Sequence, residues 1–149
     1  MKVSNWLSKA QKGQSFAELG AFMVVLLLIL VGVIEFGMLI FQYIAMKDAA
    51  QEGSVYATMY PSSCNQTIER VKEGLNSTDL SGVQIDVLVN GLQCNLASAG
   101  DACANREIKV TVRQPDYKIM VPFLGTVLGR QTISVSAVAT GTIIRPPCP

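Results

Sequence analysis

The sequence predicts an α+β chain: a long N-terminal transmembrane helix that continues into a small domain with a short helix and a three-stranded, or slightly larger, antiparallel sheet. Three observations lead there. Apolar residues make up 50% of the 149 residues and charged residues only 15%, against about a quarter in a soluble globule, and the surplus sits in one block near the N-terminus. Past that block the apolar period changes from helical to strict alternation. The four cysteines, Cys64, Cys94, Cys103 and Cys148, all lie on its C-terminal side.

The block runs from Leu19 to Phe41 and is interrupted by one charge, Glu35. As a helix it spans about 35 Å at about 1.5 Å per residue, enough for a hydrocarbon core of about 30 Å. A soluble core helix shows a polar face in every turn, and Leu19 to Ile34 shows none. The apolar core exceeds the roughly 7–15 residues of a secretory signal, and no small-residue cleavage site follows it. Lys2, Lys9 and Lys12 precede the span and no acidic residue occurs before Glu18. This places the N-terminus in the cytoplasm and the cysteines outside, where an even count reads as disulfides. Zinc is the competing reading, disfavoured by the absence of histidine and of any Cys-x-x-Cys pair. Of the three possible connectivities, Cys94–Cys103 closing a short loop and Cys64–Cys148 pinning the tail are favoured.

Glu35 is an intramembrane or interfacial carboxylate, costly at the bilayer centre and less so at its edge. It is expected either to contact a neighbouring subunit or to sit at the interface without a partner. Beyond it no helix breaker appears before Gly53, and Pro61 is expected to end the helix. Phe36, Tyr43, Ala50 and Ala57 recur at intervals of seven, as do Leu39, Met46, Gly53 and Tyr60. Such a seam, narrowing to small residues, suits close packing, either on the chain's own sheet or between helices of a filament.

In the outer part, Ile68, Val71 and Leu75 share one face of a short helix. Strands follow: Val83, Ile85, Val87 and Val89 alternate with Gln84, Asp86 and Asn90; Ile108, Val110 and Val112 with Glu107, Lys109, Thr111 and Arg113; Ile133, Val135, Ala137 and Ala139 with Thr132, Ser134, Ser136 and Thr140. The apolar segment 117–129 contains Pro122, Gly125 and Gly129 and is expected to be a loop, buried under the sheet edge or offered to a partner. Asn65-Gln66-Thr67 and Asn76-Ser77-Thr78 fit the N-glycosylation pattern. A net charge of +1 without a basic cluster argues against nucleic acid. With no histidine, Ser-His and Cys-His nucleophile pairs are excluded. No P-loop or Gly-x-Ser-x-Gly occurs, so the chain is read as no enzyme, with no cofactor, metal or catalytic residue expected.

Just ahead of the span, Gly13 is followed by Gln14-Ser15-Phe16-Ala17 and then Glu18. This pattern, behind a short Lys-bearing leader, resembles the class III signal of type IV pilins and pseudopilins. The resemblance implies cleavage between Gly13 and Gln14 by a prepilin peptidase, with Glu18 pairing to the new N-terminal amine of a neighbouring subunit. A glycine suits such a site because it adds no side chain to an unwound peptide. Farther on, Ile34-Glu35-Phe36-Gly37 followed by Ala49-Ala50-Gln51-Glu52-Gly53-Ser54-Val55-Tyr56-Ala57 is similar to the TadE-like family, whose pattern is Ile-Glu-(Phe)-Gly, then Ala-Ala-Arg-Glu-Gly-Ala-Arg-Tyr-Ala. Glu52, Gly53, Tyr56 and Ala57 match, while Gln51 and Val55 stand where the family has arginine.

The organisation implied is a cytoplasmic leader over 1–13, a long helix over 14–60 and an extracytoplasmic pilin-like domain over 61–149. The function implied is that of a minor pseudopilin, a structural or priming subunit of a tight-adherence (Tad/Flp) pilus assembly or secretion system. Its expected partners are a prepilin peptidase, other pilin or pseudopilin subunits, an inner-membrane platform with its ATPase, and the lipid bilayer of a bacterial inner membrane. The alternative is a permanently anchored extracytoplasmic scaffold or binding module that enters no filament.

Overall fold

The computed structural model describes residues 4–75, 82–121, 125–126 and 129–148, with side chains from residue 15 onward. Helix α1 runs Ser4–Met59, and the chain divides into two compact units, Met1–Gly37 and Met38–Pro149. The first unit is helical throughout its described length. Its side chains are those a membrane-crossing helix needs: Phe22, Met23, Val24, Leu27, Ile29 and Val33 are all exposed, and the helix is long and apolar enough to cross a bilayer, with a mean hydropathy of 2.9 in its richest window. This fits a single-pass membrane protein.

The second unit contains the rest of α1, helix α2 (Cys64–Gly74), strands β1 (Gln84–Val89), β2 (Leu92–Gln93), β3 (Glu107–Lys118) and β4 (Thr132–Thr142), and a single 3₁₀ turn at Cys94–Leu96. The sheet is antiparallel with order β2-β1-β3-β4. Each strand buries alternate residues, as the period of two requires. Val87 and Val89 of β1, Ile108, Val110 and Val112 of β3, and Val135, Ala137 and Ala139 of β4 form one inner face. Against it lie Met46, Ala49, Ala50 and Ala57 of α1 and Val71 of α2, with Leu75 just beyond that helix. The small residues of the seam let α1 approach closely. At Gly53 an added Cβ would collide with Val71 Cγ2 and lie 3.7 Å from Val110 Cγ1, and at Gly74 it would lie 3.1 Å from Ala49 Cβ. The seam therefore packs on the chain's own sheet from Met46 to Ala57. Phe36 and Tyr43, which begin one heptad series, and Tyr60, which ends the other, are exposed.

Helix α1 ends at Met59, ahead of Pro61, which cannot continue it. Thr67, Val71 and Leu75 are the buried residues of the α2 region and Ile68 is half-buried, so the expected face is rotated slightly toward Thr67. Two strand features depart from expectation. Asn90 is not a strand residue: Asn90 and Gly91, with φ of 51° and 82°, form the two-residue turn that folds β2 back on β1. An Asn-Gly pair is the sequence signal for that turn, because both positions need positive φ. Strand β3 also runs farther than its alternation indicates, taking in Tyr117 and Lys118. Its register on β4 shifts between Gln114 and Tyr117, around Pro115, which has no N–H to give to the ladder. Of the apolar segment after it, Ile119 is buried and donates to the Gln131 carbonyl at 3.0 Å, while Met120 is 75% exposed. Pro122 and its two successors, and residues 127–128, lie outside the described residues, as does the Asn76-Ser77-Thr78 sequon.

The disulfides pair as Cys64–Cys94 and Cys103–Cys148, with Cα separations of 5.8 and 4.9 Å, which corrects the favoured connectivity. The reason is the sheet. The β1–β2 hairpin carries Cys94 back to the start of α2, where Cys64 stands. Past the ends of β3 and β4 the pairing continues, with Ile143 donating to the Arg106 carbonyl, Asn105 to that of Ile143 and Ala104 to that of Pro146. This antiparallel extension lays the tail beside Cys103. Closeness along the chain between Cys94 and Cys103 counts for less than the register that separates them.

Candidate assembly site

The residues singled out by sequence fall in three places along α1. Gly13 and Gln14 lie within the helix, their side chains outside those described. Glu18 is exposed on the first unit, one residue before the apolar run. Ile34, Phe36 and Gly37 are exposed, whereas Glu35 between them is only 7% exposed. A carboxylate withdrawn from the surface of an apolar helix avoids the cost of facing lipid.

The third place is the 49–57 block, and the structure sorts its residues by face. Ala49, Ala50, Gly53, Ser54 and Ala57 are buried, whereas Gln51, Glu52 and Val55 are exposed. The period of 3.6 explains the split, since residues three and four apart share a side. Ser54 turns its hydroxyl back to donate to the Gln51 carbonyl at 2.9 Å, which keeps a buried polar group satisfied. Gln51 and Val55 are therefore solvent positions.

Tyr56 sits at the border of the two faces. Its hydroxyl donates to Gln66 Oε1 at 2.6 Å, its ring lies 5.1 Å from that of Tyr60, and the Arg70 guanidinium is 5.7 Å from its centroid. Arg70 also approaches Glu73 at 3.6 Å. One aromatic thus ties the end of α1 to the outer side of α2 by a hydrogen bond and a cation–π contact. Sequence reasoning marked Tyr56 and missed Gln66 and Arg70, because an α1–α2 contact has no signature in either helix alone.

A buried polar pair completes the helix–sheet interface. Gln42 Nε2 donates to Gln114 Oε1 at 2.9 Å, both side chains being buried. This amide pair fixes α1 against the far end of β3, since any slip would strand two amides away from water. Away from the helix, Asp101 accepts hydrogen bonds from Ser98 Oγ at 2.6 Å, from the Ser98 N–H at 3.1 Å and from Asn90 Nδ2 at 3.1 Å. The Ser98 hydroxyl first, then Asn90, hold its carboxyl below the ordinary range. Among the described residues no cluster of histidine, cysteine, aspartate and glutamate is arranged to hold a metal ion. The geometry is that of a packed helix–sheet interface.

No curated protein and no solved structure matches the chain. The family model described as TadE-like protein matches residues 13–54, a segment that opens at Gly13 and closes inside the small-residue block. The chain therefore carries a TadE-like region over residues 13–54.

Proposed function

We propose that the chain is a minor pseudopilin, a structural or priming subunit of a Tad/Flp pilus assembly. It is inserted with its N-terminus in the cytoplasm, trimmed after Gly13 by a prepilin peptidase, and held in a bacterial inner membrane until it joins other pilin-like subunits on a platform driven by a cytoplasmic ATPase. The observation that carries this reading is the placement of Gly13 and Glu18 directly against the apolar part of α1, within the TadE-like segment. The mature chain, 13 residues shorter than the full 149, keeps a disulfide-bonded outer domain. That bulk favours a minor or priming role over that of the small repeating subunit of such pili. The chain itself does no catalysis in this scheme.

Glycine also suits the site mechanically. The peptide at Gly13 is helical, and a protease needs it extended. Glycine weakens a helix by about 1 kcal/mol relative to alanine, so the helix opens more readily there than it would at an alanine. The test is the intact mass and N-terminus of the protein made with and without a cognate prepilin peptidase, with Gly13→Ala as control. Loss of the first 13 residues only when peptidase and Gly13 are both present is the expected result. A chain left whole where a known pilin is cut would overturn the reading and leave an anchored scaffold or binding module.

A further inference from the structure

Along Ser134 to Thr140 the outer edge of β4 pairs with no strand among the described residues, while at its end Ile144 donates to the Thr58 carbonyl of α1. Strand β4 is the last strand of the sheet and 11 residues long, and from Thr132 to Ile144 the chain contains no charged residue and no proline. Edges are ordinarily shortened, charged, bulged or covered, because a row of unpaired N–H and C=O groups templates another strand. Which groups face outward follows from register. The Ile143 N–H donates to Arg106 on the β3 side, whereas the next residue, Ile144, donates to the Thr58 carbonyl on the other side. By alternation, Ser134, Ser136, Val138 and Thr140 direct their N–H and C=O groups to the open edge. Beside the first part of the strand lies a groove of about 390 Å³ lined by Leu39, Ile40 and Tyr43 of α1 and by Ile133–Ser136. Four consecutive strand residues line it, so at that end it opens along the edge and not on one face of the sheet.

Charge identifies the occupant. The neutral stretch is bracketed by Arg130 and Arg145, both exposed. Symmetric pairing of two β4 edges about Ala137 would set Arg130 of one copy beside Arg145 of the other. We propose that the β4 edge is a strand-docking site for an extended segment of a different protein, neutral and apolar at alternate residues and carrying carboxylates at its ends. The backbone groups of Ser134 to Thr140 hold it, the groove takes its apolar side chains, and the two arginines set its ends. This site does not depend on processing at Gly13, since an uncleaved chain presents the same edge.

The experiment uses the full chain in lipid nanodiscs and a labelled synthetic peptide of alternating valine and serine with glutamates at both ends, against the same peptide ended by lysines. The glutamate-ended peptide is expected to bind and to slow amide exchange at Ser136, Val138 and Thr140. Ser136→Pro removes an outward N–H without touching the β3 ladder, and should lower affinity by about tenfold or more. Arg130→Glu with Arg145→Glu, two surface changes that leave the fold alone, should reverse the preference between the peptides. No binding of the glutamate-ended peptide, equal binding of both peptides, or unreversed preference in the double variant would each overturn the proposal. So would unchanged binding by a folded Ser136→Pro chain.

Discussion

Replacing Gly53 with alanine sets two effects of opposite sign against each other, and the structure decides between them. In an exposed helix the change stabilises by about 0.5–1 kcal/mol, because glycine loses more backbone freedom on folding. At this position the new Cβ would overlap Val71 Cγ2, with the Thr67 carbonyl oxygen and Val110 Cγ1 each at 3.7 Å. Val71 is fully buried and, being β-branched in a helix, is held close to one rotamer. The overlap can be relieved only by moving α2, and overpacking of this kind costs about 1–3 kcal/mol. The expected net result is a loss of about 1–2 kcal/mol. Val71→Ala alone should cost about 2–3 kcal/mol through lost burial and the cavity it leaves. In that background the alanine at 53 fills part of the cavity and should become neutral or mildly stabilising, a coupling of about 2 kcal/mol between the sites. The assay is urea denaturation of the detergent-solubilised chain, followed by near-ultraviolet circular dichroism of the tyrosines around Tyr56. A stabilisation of about 1 kcal/mol by Gly53→Ala in both backgrounds would refute the close approach of α1 and α2.

Three further outcomes are expected. Peptide mapping without reduction should recover Cys64 linked to Cys94 and Cys103 linked to Cys148, and replacing either pair by serine should cost about 3–4 kcal/mol for loops of 30 and 45 residues; a Cys94–Cys103 peptide would refute the register given for the tail. Gln42→Leu or Gln114→Leu alone leaves a buried amide without its partner and should destabilise by about 1–3 kcal/mol, while the double replacement should cost less than the two singles combined; additive losses in a double-mutant cycle would show that the pair is not coupled. Asp101, its carboxyl lowered from an ordinary value of 3.8 by Ser98 and Asn90, contributes stability that is fully present above that value and is lost as pH falls through the lower folded value; amide exchange at Ser98 should accelerate over that acidic interval in the native chain and be raised without pH dependence there in Asp101→Asn.

Tyr56 shows why part of the site was legible and part was not. Its helical position follows from local pattern, and so does the burial of Ala50, Gly53 and Ala57, whose spacing puts them on one side of α1. Its partners Gln66 and Arg70 belong to another helix across a turn. Nothing in the two segments separately says that they meet.

By itself the sequence determined what depends on near neighbours along the chain: the apolar span and its flanking charges, the end of α1 before Pro61, the amphipathic face of α2, and the alternation that sets which side of each strand is buried. It also held the Asn90-Gly91 turn, whose positive φ angles are a local demand of the residue types. Tertiary structure alone decided which cysteines meet, that Gln42 finds Gln114, that Gly53 faces Val71, and that β4 is left as an open edge. These depend on strand order and register, which bring together residues tens of positions apart. Such pairings are selected by the whole packed core at once, and no period within a single segment records them.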